Sequence, residues 1–201
     1  MTASSANIAD FEHGRVPRAV RERQLVELAE ELFSERGYAG ASMEELARRA
    51  GVTKPVVYEL FGSKDGIFRA FVDRAVEQLA ASVAGAVRAE SDPEARIRAG
   101  GLAFLHFAAE NRLAWDLMSM GGQFAQQAAD VRRGQAELLH ELMREMAPEG
   151  VDARELEAVA WALNAAYEGV ANWIWGHPEV PVEDVADWLV DLLIPGLRRF
   201  T

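Results

Sequence analysis

Two lysines, Lys54 and Lys64, bracket one short segment of this chain, and apart from four histidines every other basic side chain is an arginine. Between them lie Pro55, Val56 and Tyr58, with Thr53 just before. These residue types suit contact with DNA. A lysine such as Lys54 can donate to guanine, Pro55 and Val56 can touch a thymine methyl, and the hydroxyls of Thr53 and Tyr58 can reach phosphate. Lys64 is locally unfavourable, because a cation in the first turn of a helix opposes the macrodipole by ~0.3–1 kcal/mol. Beside a phosphate it becomes an asset, since it joins the free amides of that helix start. Ser42 and Met43, at the start of the preceding helix, and Arg18 in the first helix complete the expected DNA-facing set. Arg15, Arg21, Arg48 and Arg49 are weaker phosphate candidates.

A second group suits a different chemistry. Phe104, His106, Phe107, Trp115, Met118, Met120 and Phe124 cluster in sequence, and Trp161, Asn164, Glu168, Asn172 and Trp175 share roughly one helical face. An apolar surface interrupted by an amide, a carboxylate and another amide is what a largely apolar ligand site requires. Phe104, Phe107, Trp115, Met118, Phe124, Trp161, Asn164, Glu168 and Asn172 are therefore the expected ligand-binding residues. The same aromatic and methionine stripes are also what plain core looks like. Glu168, if it lines a site, favours a neutral or cationic ligand over a carboxylate.

Enzyme chemistry has no support. There is no cysteine, the histidines at 13, 106, 140 and 177 form no metal-ligand pair, and no nucleophile–base set or glycine-rich phosphate loop is visible. Neither a metal nor a cofactor is expected, and the chain reads as a non-enzyme.

Helices must position these groups. Pro17 can open the first, whose apolar positions Leu25, Leu28, Ala29, Leu32 and Phe33 recur at helical spacing until Gly37. Ser42 with Glu45 three residues on reads as a capping box for the second. Gly51 permits a left-handed turn, Thr53 caps the third helix, and Pro55 falls in its first turn. Ala47, Gly51, Val52 and Val57 are the small and apolar residues that would clamp a helix-turn-helix. Ser63 caps a long fourth helix, and Asp92-Pro93 starts a fifth. A short sixth covers Leu113 to Met120, a seventh Gln123 to Met146, an eighth runs from Asp152 to about Trp175, and a ninth from Pro181 to Leu197. No strand alternation is visible, so the expected fold is all-α with about nine helices.

The 201-residue length and 50% hydrophobic content allow a sizeable core. The net charge of -11 is unevenly spread: residues 1–70 carry ten basic against eleven acidic groups, the rest eleven against twenty-one. Modest, salt-dependent DNA affinity follows for the near-neutral N-terminal third. No signal peptide or membrane span is read, which points to the cytoplasm and away from a membrane.

Residues from about Gln24 to Arg74 closely resemble the TetR family of bacterial transcriptional regulators. Leu32-Phe33, Gly37-Tyr38, Ser42-Met43-Glu44-Glu45-Leu46-Ala47, Ala50-Gly51-Val52-Thr53, Val57-Tyr58 and Phe61-Gly62-Ser63-Lys64-Asp65 carry the resemblance. Leu60 departs from it, standing where the family has an aromatic or histidine. The resemblance implies a homodimer, here through the eighth and ninth helices, and a C-terminal domain that binds a small molecule and changes the spacing of two reading heads. The expected organisation is a disordered tail over 1–14, a helix-turn-helix DNA-binding domain over 15–65, and an effector-binding and dimerisation domain over 66–201. The leading reading is a repressor released from double-stranded operator DNA by a small, largely apolar effector. The alternative is a DNA-anchored protein-interaction module without an effector.

Overall fold

The computed structural model describes residues 16–119 and 125–197, with the side chains of 114, 117–119 and 127 excepted. The 1–14 tail, Arg15, Met120, Phe124 and the Met118 side chain lie outside this description. The described residues form helices α1 (Arg18–Gly40), α2 (Met43–Arg49), α3 (Lys54–Phe61), α4 (Lys64–Ala89), α5 (Pro93–Glu110), α6 (Arg112–Ser119), α7 (Ala125–Arg144), α8 (Ala153–Ile174) and α9 (Val182–Leu197). No strand occurs among them, so the fold is all-α. None of the described helices is long and apolar enough to cross a membrane. Packing divides the chain into two units, one ending at Arg74 and one beginning at Ala75, within α4.

In the first unit, α1 buries Val20, Leu25, Val26, Ala29, Leu32 and Phe33. Gly37 then takes φ 66°, a conformation that breaks the helical path. Phe33 is packed by the rings of Tyr38, Phe68 and Phe71 at 5.8, 6.0 and 6.2 Å. That packing places the start of α4 with the first unit. Fully burying one such side chain stabilises by about 1.5–3 kcal/mol.

Two of the expected caps form differently from the sequence reading. Ser42 Oγ accepts from the Glu45 amide at 3.2 Å, but the Glu45 carboxylate does not complete the box. It instead accepts from Arg48 at 2.8 and 2.9 Å and Arg49 at 3.0 Å. Thr53 sits at the N-cap of α3 but makes no side-chain cap bond. Pro55 occupies the second helical position and has no N–H to offer, and the Val56 amide already donates to the Thr53 carbonyl at 3.0 Å.

Arg49 joins α2 to α1, since it also pairs with Glu35 at 2.5 Å. Hydrogen bonds from Arg48 and then Arg49 hold the Glu45 carboxyl at about 2, well below its ordinary 4.5.

In the second unit α7 packs on α8, and α5 packs on α8 and α9. Met143, Leu156, Ala160, Leu163 and Leu197 form a buried cluster with Ile97 against it. Asp92 and Asp152 cap α5 and α8 by accepting from the Ala95 and Arg154 amides at 2.8 and 2.9 Å. Arg98–Asp187 at 2.6 Å and His106–Glu183 at 3.2 Å tie α5 to α9.

Two measurements probe these arguments. A depressed carboxyl stabilises the fold above its unfolded value and loses that contribution as pH falls towards the folded value. Glu45→Gln should therefore lower the melting temperature at pH 6, and the gap to the parent should close as pH drops from 4.5 towards 2. A Cβ on Gly66 would lie 1.8 Å from the Phe61 carbonyl oxygen, whereas one on Gly85 meets nothing within 4 Å. In chemical denaturation Gly66→Ala should cost about 1–3 kcal/mol, and Gly85→Ala should stabilise by about 0.4–1 kcal/mol.

Candidate nucleic-acid interface and effector cavity

The α2–α3 turn is built by short backbone closures. The Val52 amide donates to Ala47 O at 3.0 Å, Ala50 to Leu46 O at 3.0 Å, and Gly51 takes φ 64°. Val57, Leu46 and Ala47 are buried where the helices meet. This packing leaves Thr53, Lys54, Pro55, Tyr58 and Ser42 exposed, with Val56 half-buried.

Each cation of this face is already engaged. Lys54 Nζ pairs with Glu44 and lies 5.6 Å from the Tyr58 ring centroid. The hydrogen bond to Glu44 raises the Lys54 pKa and lowers that of Glu44. Lys64 Nζ donates to Ala39 O at 3.2 Å and stands 4.5 Å from the centre of the Tyr38 ring, while the Tyr38 hydroxyl donates to Asp65. Lys64 thus fastens the end of α1 to the start of α4 and keeps further N–H groups for another acceptor. Arg18 pairs with Glu22 at 2.7 Å on the exposed side of α1. Met43 is the exception among the expected residues. It is only 5% exposed, because the first position of α2 turns inward, so its side chain is core and only its backbone is at the helix start. Tyr38 and Glu44 carry the family resemblance, but their pairing with the two lysines was not read from the sequence, since a partner ten or more residues away is set by tertiary packing.

The second unit contains an apolar cavity of about 110 Å³. Val76, Leu79, Val83 and Val87 from α4 form one wall, and Gly100, Gly101 and Phe104 from α5 another. Leu138, Leu142 and Met143 come from α7, with Leu163, Asn164 and Tyr167 from α8. An engineered apolar cavity of roughly 150 Å³ holds a benzene, so a larger ligand must move the walls. Gly101 is required here: a Cβ would lie 2.1 Å from the Tyr167 hydroxyl. That hydroxyl is buried without a hydrogen-bond partner among the described residues, and burial pushes its pKa up to about 12.

Beside it lies a more polar chamber of about 160 Å³, which shares Gln135 with the first and is lined by Trp115, Arg132, Glu168 and Asn172. Trp115 Nε1 donates to Asn172 Oδ1 at 2.9 Å, and Asn164 Nδ2 to Glu168 Oε1 at 3.1 Å. Burial raises the Glu168 pKa, and Arg132 at 3.4 Å offsets its charge.

The expected ligand residues are therefore dispersed. Phe104 and Asn164 line the apolar cavity, and Trp115, Glu168 and Asn172 line the polar chamber. Phe107 is buried but lines neither, and Trp161, although it shares a helical face with Glu168 and Asn172, is 43% exposed and lines neither. Phe124 and the Met118 side chain are not described. Glu168, neutralised by Arg132 and outside the apolar cavity, no longer argues against a carboxylate there. Tyr167 and the leucines of α7 were not read as site residues. Their spacing is helical, but so is that of the neighbouring stripe, and α8 is apolar on several faces.

Comparison with known proteins agrees with the geometry of both units. Residues 25–71 match the family described as bacterial regulatory proteins, tetR family, and residues 93–196 match the tetracyclin repressor-like C-terminal domain. Over 93 residues the chain is 44% identical to the HTH-type transcriptional activator FasR of Mycolicibacterium smegmatis, a match spanning 46% of this chain and 42% of that protein. It is 28% identical to the HTH-type transcriptional regulator EthR of Mycobacterium tuberculosis across 98% of both. The crystal structure of a TetR-like transcriptional regulator from Rhodococcus sp. RHA1 superposes with a TM-score of 0.67 at 32% identity, covering 92% of this chain and 99% of that one. With its C-terminal match alone extending over half of its length, the chain belongs to the TetR family of DNA-binding transcriptional regulators.

Proposed function

We propose that the protein is a homodimeric repressor released from its operator by a small, largely apolar effector. The observation that carries this reading is the apolar cavity in the unit that follows the helix-turn-helix; a filled core would favour a protein-interaction module. α4 supplies residues to both units, from Lys64 and Phe68 to Val83 and Val87. An effector that binds better to a differently spaced dimer weakens DNA binding by its differential affinity.

At the DNA, Lys54, Pro55 and Val56 read base edges, while Thr53, Tyr58, Ser42, Lys64 and Arg18 hold phosphates, and Met43 contributes at most its backbone. Binding displaces Glu44 from Lys54. Dimerisation uses α8 and α9, where Trp161, Trp188 and Leu192 are 43%, 56% and 74% exposed. The exposed small residues Ala158, Ala162, Ala165 and Gly169 along α8 let a partner helix approach closely. Two reading heads would then span ~34–36 Å, one turn of DNA.

Lys54→Ala should cost about 1–3 kcal/mol at the preferred site and relax discrimination there. Lys64→Gln should weaken binding to all sequences and reduce the salt slope by about 1; an unchanged slope in a fluorescence-anisotropy titration would remove Lys64 from the phosphate contacts. Trp188→Glu combined with Leu192→Glu should give monomers by sedimentation, with loss of operator affinity. A dimer that persists places the interface elsewhere. FasR is named an activator, so reporter output with and without the protein decides the sign: repression requires higher output in its absence.

A further inference from the structure

Most arginines of the second unit are answered by carboxylates: Arg88 by Glu145, Arg98 by Asp187, Arg132 by Glu168 and Arg144 by Glu141. Arg96 is not. It is half-buried and lines the apolar cavity. Its Nε donates to the Glu90 carbonyl at 2.8 Å, and no carboxylate pairs with it among the described residues. A cation against an apolar wall loses hydration without recovering an ion pair. With Nε committed, the two terminal nitrogens form an edge that matches the two oxygens of a carboxylate.

The cavity has the shape to follow such a head with a chain. Along α5 its lining runs from Arg96 through Gly100 and Gly101 to Phe104, a rise of about 12 Å. Along α4 it runs from Val76 to Val87, about 16 Å. The walls between are mostly Leu, Val and Met, and Tyr167, packed against Gly101 five residues on from Arg96, contributes a neutral hydroxyl that cannot balance an anion.

We propose that this cavity takes a carboxylate-headed amphiphile, with the carboxylate on Arg96 and the apolar chain running inward past Tyr167 towards Phe104. The assignment rests on the effector reading of the cavity, and it specifies the effector's charge.

Decanoate, decanol and decylamine, titrated against the full-length protein by calorimetry, share a chain and differ in head. Decanoate should bind tightest. Arg96→Gln should weaken it about ten- to hundredfold, the range of a hydrogen bond to a charged group, and leave decanol unchanged. Arg96→Lys should recover part of the loss, which a merely structural role would not produce. Decanol or decylamine binding as tightly as decanoate would overturn the anionic head while leaving the cavity as an effector site. Equal loss in Tyr167→Phe and Arg96→Gln would also overturn it by moving the head to Tyr167. Binding by none of the three would remove both readings. Decanoate that binds through Arg96 without lowering operator affinity would keep this assignment and sink the effector-release reading.

Discussion

A helix that is apolar on several faces must be covered on all of them, and α8 imposes that condition on the second unit. Leu156, Ala160, Leu163, Tyr167, Ala171 and Ile174 face inward, and α5 and α7 answer them. Trp161, Trp173 and the small residues between them face outward. The inward face defines the core and the cavity wall, and the outward face is what the dimer reading covers. Tyr167 can pack this closely against α5 only because Gly101 has no Cβ. The same contact leaves its hydroxyl without a partner at the wall of the cavity.

In the first unit the governing constraint is electrostatic. Lys54, Arg18, Arg48 and Arg49 are each held by a glutamate, and Lys64 by a carbonyl and an aromatic ring. On the proposed reading phosphate would compete with carboxylates already in place, and the near-neutral charge of residues 1–70 supplies little long-range pull. Such a surface depends on correct placement more than on attraction. If these cations meet DNA as proposed, each displaced ion pair would be compensated only where phosphates and base edges meet the freed cation, which favours discrimination among sites.

The two chambers of the second unit divide polar and apolar work. In the polar one Arg132 pairs with Glu168 and Trp115 donates to Asn172, while Glu168 also accepts from Asn164 of the apolar wall. The apolar one keeps Arg96 at one end and Tyr167 along its side. A mutually satisfied network rigidifies its surroundings, whereas groups still lacking partners are where a ligand gains most.

The local sequence determined the elements of this protein. Gly37 and Gly51 mark left-handed breaks because a side chain resists them. Ser42, Ser63, Asp92 and Asp152 start helices because their oxygens accept orphan amides. The helix-turn-helix and its exposed Lys54 were legible for the same reason: they rest on residues close in sequence. Tertiary structure alone decided which side of each helix is inside. Met43 turned into the core, Trp161 turned out, and Trp115, Glu168 and Asn172 went to the polar chamber. Helical periodicity states which residues share a face, but on a helix apolar on several faces it cannot state which of them the neighbouring helices will cover.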